Sequence, residues 1–122
     1  MPGIKVIVLP NLYGEIVSEL CAGLVGGIGL VPNANIGKKF AVFETSHGSA
    51  PKYAGKNIAN PCAAILAAAM MLKHIGMQKD GALIENAVAG VIKEGKHLTQ
   101  DLGGKAKKTE MTNAIIKKIE KK

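Results

Sequence analysis

The sequence predicts an α/β fold in which strands alternate with helices. Two runs have the composition of strands: residues 5–9 (KVIVL) are mostly β-branched, and residues 40–45 (FAVFET) are mainly apolar. The first run hardly alternates between apolar and polar residues, which is typical of a strand buried on both faces. Stretches with helical spacing of apolar residues lie between the two runs and after the second one. We therefore expect helices packed on a small sheet.

The first two predicted helices are defined by a loop and by a cap. One helix is expected over residues 14–25, and residues 30–35 after it are expected to form a loop. Asn60 is the expected N-cap of the second helix, with Pro61 at its favoured first position and Gly76 after its end. Its residues are apolar on almost every side, so it is expected to lie inside the domain.

Two further helices are predicted in the C-terminal part of the chain. Asp80 is the expected N-cap of the first of these, and Gly95 is expected to end it. Its apolar residues, which recur at helical spacing, are Leu83, Ile84, Ala87, Val88 and Val91. Thr109 is the expected N-cap of the last helix. The residues that this last helix is expected to bury are Met111, Ile115, Ile116 and Ile119.

Length and composition predict a single domain over residues 1–122 with an aliphatic core. The chain is 48% hydrophobic but only 3% aromatic, and no linker or internal repeat divides it. Its net charge is +7, and all sixteen basic residues are lysines, seven of them within residues 105–122. Without arginine, and with few aromatic residues, it lacks the side chains that most often read bases or stack on them. We therefore expect a solvated, lysine-rich final helix rather than a nucleic-acid partner.

The sequence also gives an expectation about compartment. No apolar run reaches the roughly 18 residues that a membrane-spanning helix needs, and the first residues have no apolar signal-peptide core. Cys21 and Cys62 are far apart and not near any histidine, which fits neither a disulfide framework nor a zinc site. We therefore expect a cytoplasmic protein without a membrane partner.

Two carboxylates stand out at the start of the first helix. Glu15 and Glu19 are four residues apart, so they lie on one helical face and repel each other. A divalent cation between them would offset that repulsion, because such cations prefer oxygen ligands. The alternative is that Glu15 only favours the positive end of the helix dipole and that Glu19 is solvated. Spacing alone leaves both interpretations open.

The loop after the second predicted strand is the other candidate site. His47 lies between Ser46 and Gly48, at a strand end, where open α/β sheets commonly bind ligands. It could equally be a loop histidine that is hydrogen-bonded to nearby backbone. Lys52 and Tyr53 could hold a phosphate through a charge and a hydroxyl, or could be ordinary surface residues.

Several segments together resemble the isocitrate and isopropylmalate dehydrogenase family. They are residues 11–23 (NLYGEIVSELCAG) with the glycines of 26–29, residues 47–61 (HGSAPKYAGKNIANP), residues 70–74 (MMLKH) and residues 99–104 (TQDLGG). Isocitrate dehydrogenase is the more similar branch. The resemblance implies a partial dehydrogenase fold of that type. It also implies metal-dependent oxidative decarboxylation of isocitrate to 2-oxoglutarate.

The resemblance assigns expected roles to individual residues. Glu15 and Glu19 occupy the positions of two family aspartates that bind Mg2+ or Mn2+. The residues expected to contact the nucleotide are His47, Gly48, Ser49, Ala50, Lys52, Tyr53, Asn60 and Asp101. Lys52 and Tyr53 are similar to the NADP-preferring pattern, whereas Gln100 is similar to the NAD branch, and we expect NADP by a narrow margin over NAD. The resemblance also implies that the chain forms a homodimer through the helix 14–25.

The resemblance covers only the C-terminal third of such an enzyme. In the family, the substrate-binding arginines, the catalytic tyrosine and lysine, and a further metal-binding aspartate lie earlier in the chain. The 122 residues contain no arginine, and we assign no catalytic residue to them. We expect activity to require a complementary N-terminal chain. The alternative is a non-catalytic, truncated dehydrogenase-fold module for binding or assembly.

Overall fold

The computed structural model describes residues 6–121. It is a helix-rich, partial α/β fold with one small antiparallel sheet, which confirms the predicted fold class. The elements are helix α1 (Asn11–Leu24), strands β1 (Pro32–Ile36) and β2 (Ala41–Thr45), and helices α2 (Cys62–His74), α3 (Gln78–Glu94) and α4 (Lys108–Glu120). Short 3-10 turns occur at Ile28–Leu30, Pro51–Tyr53 and Gln100–Leu102.

The sheet is a hairpin that the sequence predicted only in part. β1 and β2 pair in antiparallel register from Pro32 opposite Thr45 to Ile36 opposite Ala41. β2 matches the predicted second strand, but β1 corrects the prediction of a loop over residues 30–35. Proline and asparagine are poor strand formers, yet proline is tolerated at the first residue of a strand. Pairing with the apolar β2 therefore outweighs the local composition of β1.

The prediction of a buried strand at residues 5–9 is wrong for the part that the structure describes. Lys5 lies outside the described residues, and residues 6–9 form no strand and are exposed, with Val8 at 89%. A strand needs a neighbour to satisfy its backbone hydrogen bonds. Within residues 6–121, β1 and β2 pair only with each other, so the apolar run has no strand beside it.

The first two helices keep their predicted positions with small shifts. α1 begins at Asn11 rather than at residue 14. α2 begins at Cys62, so Pro61 is its N-cap, and Asn60 lies one residue before the predicted N-cap position. The Asn60 side-chain oxygen still accepts the Cys62 backbone N–H at 2.9 Å and so satisfies a first-turn donor. Four residues of α2 are buried, which confirms its interior position: Cys62, Ala63, Ala67 and Ala69.

The caps of the last two helices differ from prediction at their starts. α3 begins at Gln78, so Asp80 lies in its first turn rather than at its N-cap, while Gly95 ends it at φ 70° as expected. α4 begins before Thr109, and the Glu110 carboxylate accepts the Lys107 backbone N–H at 2.7 Å. Acidic residues one turn into a helix supply this bond and also suit the helix dipole.

The hydrophobic core lies where α2, α3 and α4 meet. Its buried members are Cys62, Ala87, Val88, Val91, Met111 and Ile115. Ile116 was expected there but is 45% exposed, because it lies on the other side of α4 from Met111 and Ile115. Two ion pairs, Lys73–Glu85 and Lys118–Glu94, join the helices around this core. None of the helices within residues 6–121 has the length and apolarity needed to cross a bilayer.

Candidate functional site

A large cavity, called the main cavity below, lies where the loop after β2 faces the start of α4. Its volume is about 740 Å³, which is in the range of small-molecule and cofactor sites. Seven of the eight residues expected to contact a nucleotide line it: His47, Gly48, Ser49, Ala50, Tyr53, Asn60 and Asp101. Lys52 is the exception, although its neighbour Tyr53 lines the wall. The fold therefore gathers these positions, from His47 to Asp101, into one cleft although they are more than fifty residues apart in the chain.

The loop that forms one wall has a constrained backbone. Ala50 adopts φ 43°, in the left-handed region that alanine rarely occupies, and the Pro51–Tyr53 turn follows directly. Such a conformation costs a non-glycine residue about 1–2 kcal/mol, and strain of this kind clusters at functional sites. The His47 ring nitrogen Nδ1 donates to the Gly48 carbonyl oxygen at 2.9 Å. His47 is thus both a wall residue and a histidine bonded to nearby backbone.

Asn60 and Asp101 form the opposite wall by direct contact. The Asn60 Nδ2 atom donates to Asp101 Oδ2 at 2.8 Å, while Asn60 Oδ1 accepts from Cys62. A Cβ atom on Gly29 would lie 3.1 Å from that carboxylate oxygen and 3.2 Å from the Asn60 Cβ. Glycine at position 29 therefore permits the close approach of three segments that build this wall.

Asn57 joins the loop to the start of α4, a connection that the sequence did not predict. Its Nδ2 donates to Thr109 Oγ1 at 2.9 Å, and its Oδ1 accepts the Thr109 backbone N–H at 3.2 Å. Its carbonyl oxygen also accepts the Lys108 backbone N–H at 2.8 Å. Asn57 has φ 58°, a backbone conformation that asparagine tolerates better than most residues. The asparagine in this loop was the one sequence signal for such a turn.

The same connection places Lys108 and Thr109 in the cavity wall, where sequence analysis did not expect them. The partners are about fifty residues apart in the chain, so no local pattern reveals them. The part of the chain that the structure describes contributes one acidic lining residue to the cavity, Asp101, and one lysine, Lys108.

Glu15 and Glu19 lie in a second, much smaller cleft. It has a volume of about 100 Å³ between α1 and the hairpin, and its other lining residues are Ser18, Ala22, Val31, Asn33 and Ser46. Both glutamates are exposed, and the helical spacing puts them on one face as expected. Ser18 is less available as a ligand, because its hydroxyl donates to the Gly14 carbonyl oxygen at 2.7 Å.

These residues fit a divalent cation in chemical type but not in number. Two carboxylates offer the oxygen ligands that Mg2+ prefers, and Mg2+ commonly keeps several waters. Within residues 6–121, however, no group of three or more acidic, histidine or cysteine side chains could hold a metal. The structure thus brings the two glutamates to one cleft without a third acidic ligand.

A sequence model of the isocitrate/isopropylmalate dehydrogenase family matches residues 2–119. The chain belongs to the isocitrate/isopropylmalate dehydrogenase family. This confirms the resemblance seen in the sequence, and the match extends from the run before α1 into α4.

Within this family, the chain is similar to subunits of isocitrate dehydrogenases. The chain is 56% identical over 115 residues to a mitochondrial NAD isocitrate dehydrogenase regulatory subunit of Dictyostelium discoideum, covering 93% of this chain and 32% of that protein. It is 52% identical to the alpha subunit of the mitochondrial NAD isocitrate dehydrogenase of Sus scrofa, covering 93% and 31%. The chain therefore spans about a third of the length of the curated relatives it matches.

A solved structure supports the same grouping. The crystal structure of isocitrate dehydrogenase from Methylococcus capsulatus superposes with a TM-score of 0.86 at 49% identity. The superposition covers 89% of this dehydrogenase-family chain and 33% of the bacterial one. The partial fold described above is thus the fold of a segment of an isocitrate dehydrogenase.

The names of the relatives correct one prediction. Both the Dictyostelium and the porcine relatives are named as mitochondrial proteins, so the expectation of a cytoplasmic protein is wrong. That expectation depended on finding no signal-peptide or membrane segment in the sequence. Such a search is insensitive to compartments that need neither feature.

Proposed function

We propose that this chain supplies the C-terminal, nucleotide-binding part of a mitochondrial NAD isocitrate dehydrogenase subunit. The reaction of that enzyme would be the oxidative decarboxylation of isocitrate to 2-oxoglutarate. The observation that carries the proposal is the cavity of about 740 Å³ that gathers seven of the eight expected nucleotide residues. Family membership and the names of relatives at 52–56% identity support it. In this proposal residues 1–122 form one structural unit of the larger protein.

NAD is the proposed nucleotide, in place of the narrow sequence preference for NADP. The sequence preference for NADP depended on Lys52 as the cation for a 2′-phosphate, but Lys52 does not line the cavity. The similar proteins from Dictyostelium and Sus scrofa are also named as NAD enzymes. Calorimetric titration with NAD and with NADP tests this choice, and tighter binding of NADP than of NAD by the wild-type chain would contradict it. Lys52→Asp is the comparison variant, and it should leave the ratio of the two affinities nearly unchanged.

For the metal, we propose that Glu15 and Glu19 supply two ligands of a Mg2+ or Mn2+ site that is completed from outside residues 6–121. A bound divalent cation would act as a Lewis acid on a substrate oxygen. The glutamates would hold it through carboxylate oxygens from one face of α1. Magnesium-dependent binding of isocitrate should then appear only when the complementary segment is present, and Glu15→Gln should abolish that dependence.

Turnover is proposed to need a complementary N-terminal chain, because the 122 residues contain no arginine for substrate carboxylates. The test mixes this chain with residues of a relative that precede the matched segment. NADH formation from isocitrate is then measured at saturating NAD and Mg2+. A gain over either part alone is expected. No gain, with both parts folded and mixed at equal concentration, would contradict the proposal.

A homodimer through α1 is proposed on the exposure of its apolar side chains. Leu20 is 66% exposed and Leu24 is 81% exposed, which is unusual for leucines on an amphipathic helix. Sedimentation velocity across a concentration series should show a dimer for the wild type. Leu20→Glu should shift that equilibrium to monomer, whereas a wild-type chain that stays monomeric at high concentration would contradict the dimer.

A second function, a non-catalytic binding or assembly module, is favoured by a specific observation. Glutamates occupy the positions where the resemblance places the family's metal-binding aspartates, and one similar protein is named as regulatory. A longer side chain moves the carboxylate by about one ångström, and shifts of that size can cost about a hundredfold in rate. Nucleotide binding without any gain of turnover on complementation, even for Glu15→Asp with Glu19→Asp, would favour this module over the enzyme.

A further inference from the structure

Among the described residues, 6–121, Lys108 is the one lysine that lines the main cavity. Neither of the two ion pairs within residues 6–121 involves it. The acidic residue in the same wall, Asp101, already accepts a hydrogen bond from Asn60 at 2.8 Å. The ammonium group of Lys108 is therefore the cation that an anionic ligand would meet in this cavity.

The position of Lys108 is set by the Asn57 connection. Its backbone N–H donates to the Asn57 carbonyl oxygen at 2.8 Å, and the next N–H, of Thr109, donates to Asn57 Oδ1 at 3.2 Å. These bonds occupy the first amides of α4, so the helix end itself does not offer them to an anion. The charge available at this point of the wall is that of the Lys108 side chain.

A neighbouring lysine provides a contrast. Lys107 is exposed like Lys108 and also lies at the start of α4, but it does not line the cavity. Its backbone N–H donates to the Glu110 carboxylate at 2.7 Å. The two lysines therefore have the same charge and both lie at the start of α4, but only Lys108 of these two lines the cavity.

We propose that Lys108 is a ligand-binding residue that contacts a phosphate group of the nucleotide. The inference rests on the proposed function, namely that the cavity takes NAD or a related nucleotide. Lysine is a compact charge that commonly binds phosphate oxygens. Lys52 stands outside the cavity wall, so within residues 6–121 Lys108 is the lysine of that wall that can contact a phosphate group, including the pyrophosphate that NAD and NADP share.

The experiment measures dissociation constants of NAD, NADP and adenosine by calorimetry for the wild-type chain, Lys108→Ala, Lys108→Arg and the control Lys107→Ala. Lys108→Ala should raise the dissociation constant of NAD, of NADP or of both about fivefold, which is the effect expected for a partly solvated charge contact. Adenosine, which has no phosphate, should bind unchanged. Lys108→Arg should restore most of the affinity, and added salt should weaken wild-type binding more than that of Lys108→Ala.

The three ligands separate the possible phosphates and the possible failures. A loss for both NAD and NADP assigns Lys108 to the pyrophosphate, and a loss for NADP alone assigns it to the 2′-phosphate. Unchanged affinity in Lys108→Ala, an equal loss in Lys107→Ala, or an equal loss for adenosine would overturn the assignment of Lys108. Absence of nucleotide binding by the folded wild-type chain would instead overturn the proposed function.

Discussion

Asn57→Ala is expected to lower the free energy of unfolding by about 2 kcal/mol. The substitution removes two side-chain hydrogen bonds to Thr109, and loss of a cap of this kind costs about 0.5–2 kcal/mol. It also places alanine at φ 58°, and the left-handed conformation costs alanine about 1–2 kcal/mol. The change is large against the roughly 5–15 kcal/mol by which small domains are stable. Urea unfolding followed by circular dichroism measures it.

Matched variants separate the two causes. Asn57→Gly removes the same two hydrogen bonds, but glycine adopts φ 58° without the steric penalty that alanine has. It should therefore cost about 1 kcal/mol less than Asn57→Ala. Asn57→Asp keeps the acceptor for the Thr109 N–H and replaces the Nδ2 donor with an oxygen to which the Thr109 hydroxyl can donate instead, so it should stay within about 0.5 kcal/mol of the wild type. A double-mutant cycle with Thr109→Val should show strong coupling, because the two side chains contact each other. Additive effects, or an Asn57→Ala chain as stable as the wild type, would refute this account of the connection.

Two further changes test the core and a tight turn. Burial, followed by the nearby Asp101 charge, raises the pKa of the Cys62 thiol from 9.0 to about 12. As pH rises, the thiol of the unfolded chain ionises before that of the folded chain, so the free energy of unfolding falls above pH 9. Between pH 8 and pH 10 the wild type should lose about 1 kcal/mol more of this free energy than Cys62→Ala does, measured by urea unfolding. Equal losses in the two proteins would contradict a pKa raised by burial. Gly104→Ala would press a Cβ atom into the Leu98 backbone and should lower stability by about 3 kcal/mol, whereas Gly23→Ala, with open space around it, should raise stability by about 0.5–1 kcal/mol in the same assay.

The elements that were predicted correctly carry their signals locally. α2 follows a capping asparagine and a proline, and its apolar residues surround the helix, so its place inside the domain follows from residues 60–75 alone. Gly95 likewise ends α3 because its own backbone is left-handed. Each signal lies within a few residues of the feature that it predicts.

The misassigned elements depend on what lies beside them. β1 has the composition of a loop and becomes a strand because β2 pairs with it. Residues 6–9 have the composition of a buried strand and form none, since no described strand adjoins them. Strand formation is set by a partner that can be distant in the sequence, so composition alone misjudged both segments in opposite directions.

In the candidate site, too, the residues with a local sequence signal were predicted and those placed by a distant segment were not. Residues 47–50, Lys52, Tyr53 and Asn60 were predicted because they belong to one recognisable segment, 47–61, and all of them except Lys52 line the cavity. Lys108 and Thr109 were missed, because they are joined to the loop through Asn57, which lies about fifty residues earlier in the chain. A motif search finds the loop of such a site but not the helix start that closes it.

The two clefts also differ in how completely residues 6–121 build them. The main cavity is closed by bonds between described segments, from Asn60 to Asp101 and from Asn57 to Thr109. The cleft of Glu15 and Glu19 lies on a helix with an exposed outer face and has no third acidic ligand among those residues. Nucleotide affinity should therefore be measurable in this chain without metal and independent of Glu15. Metal dependence should be a property of the complemented enzyme, so loss of one function in a variant need not bring loss of the other.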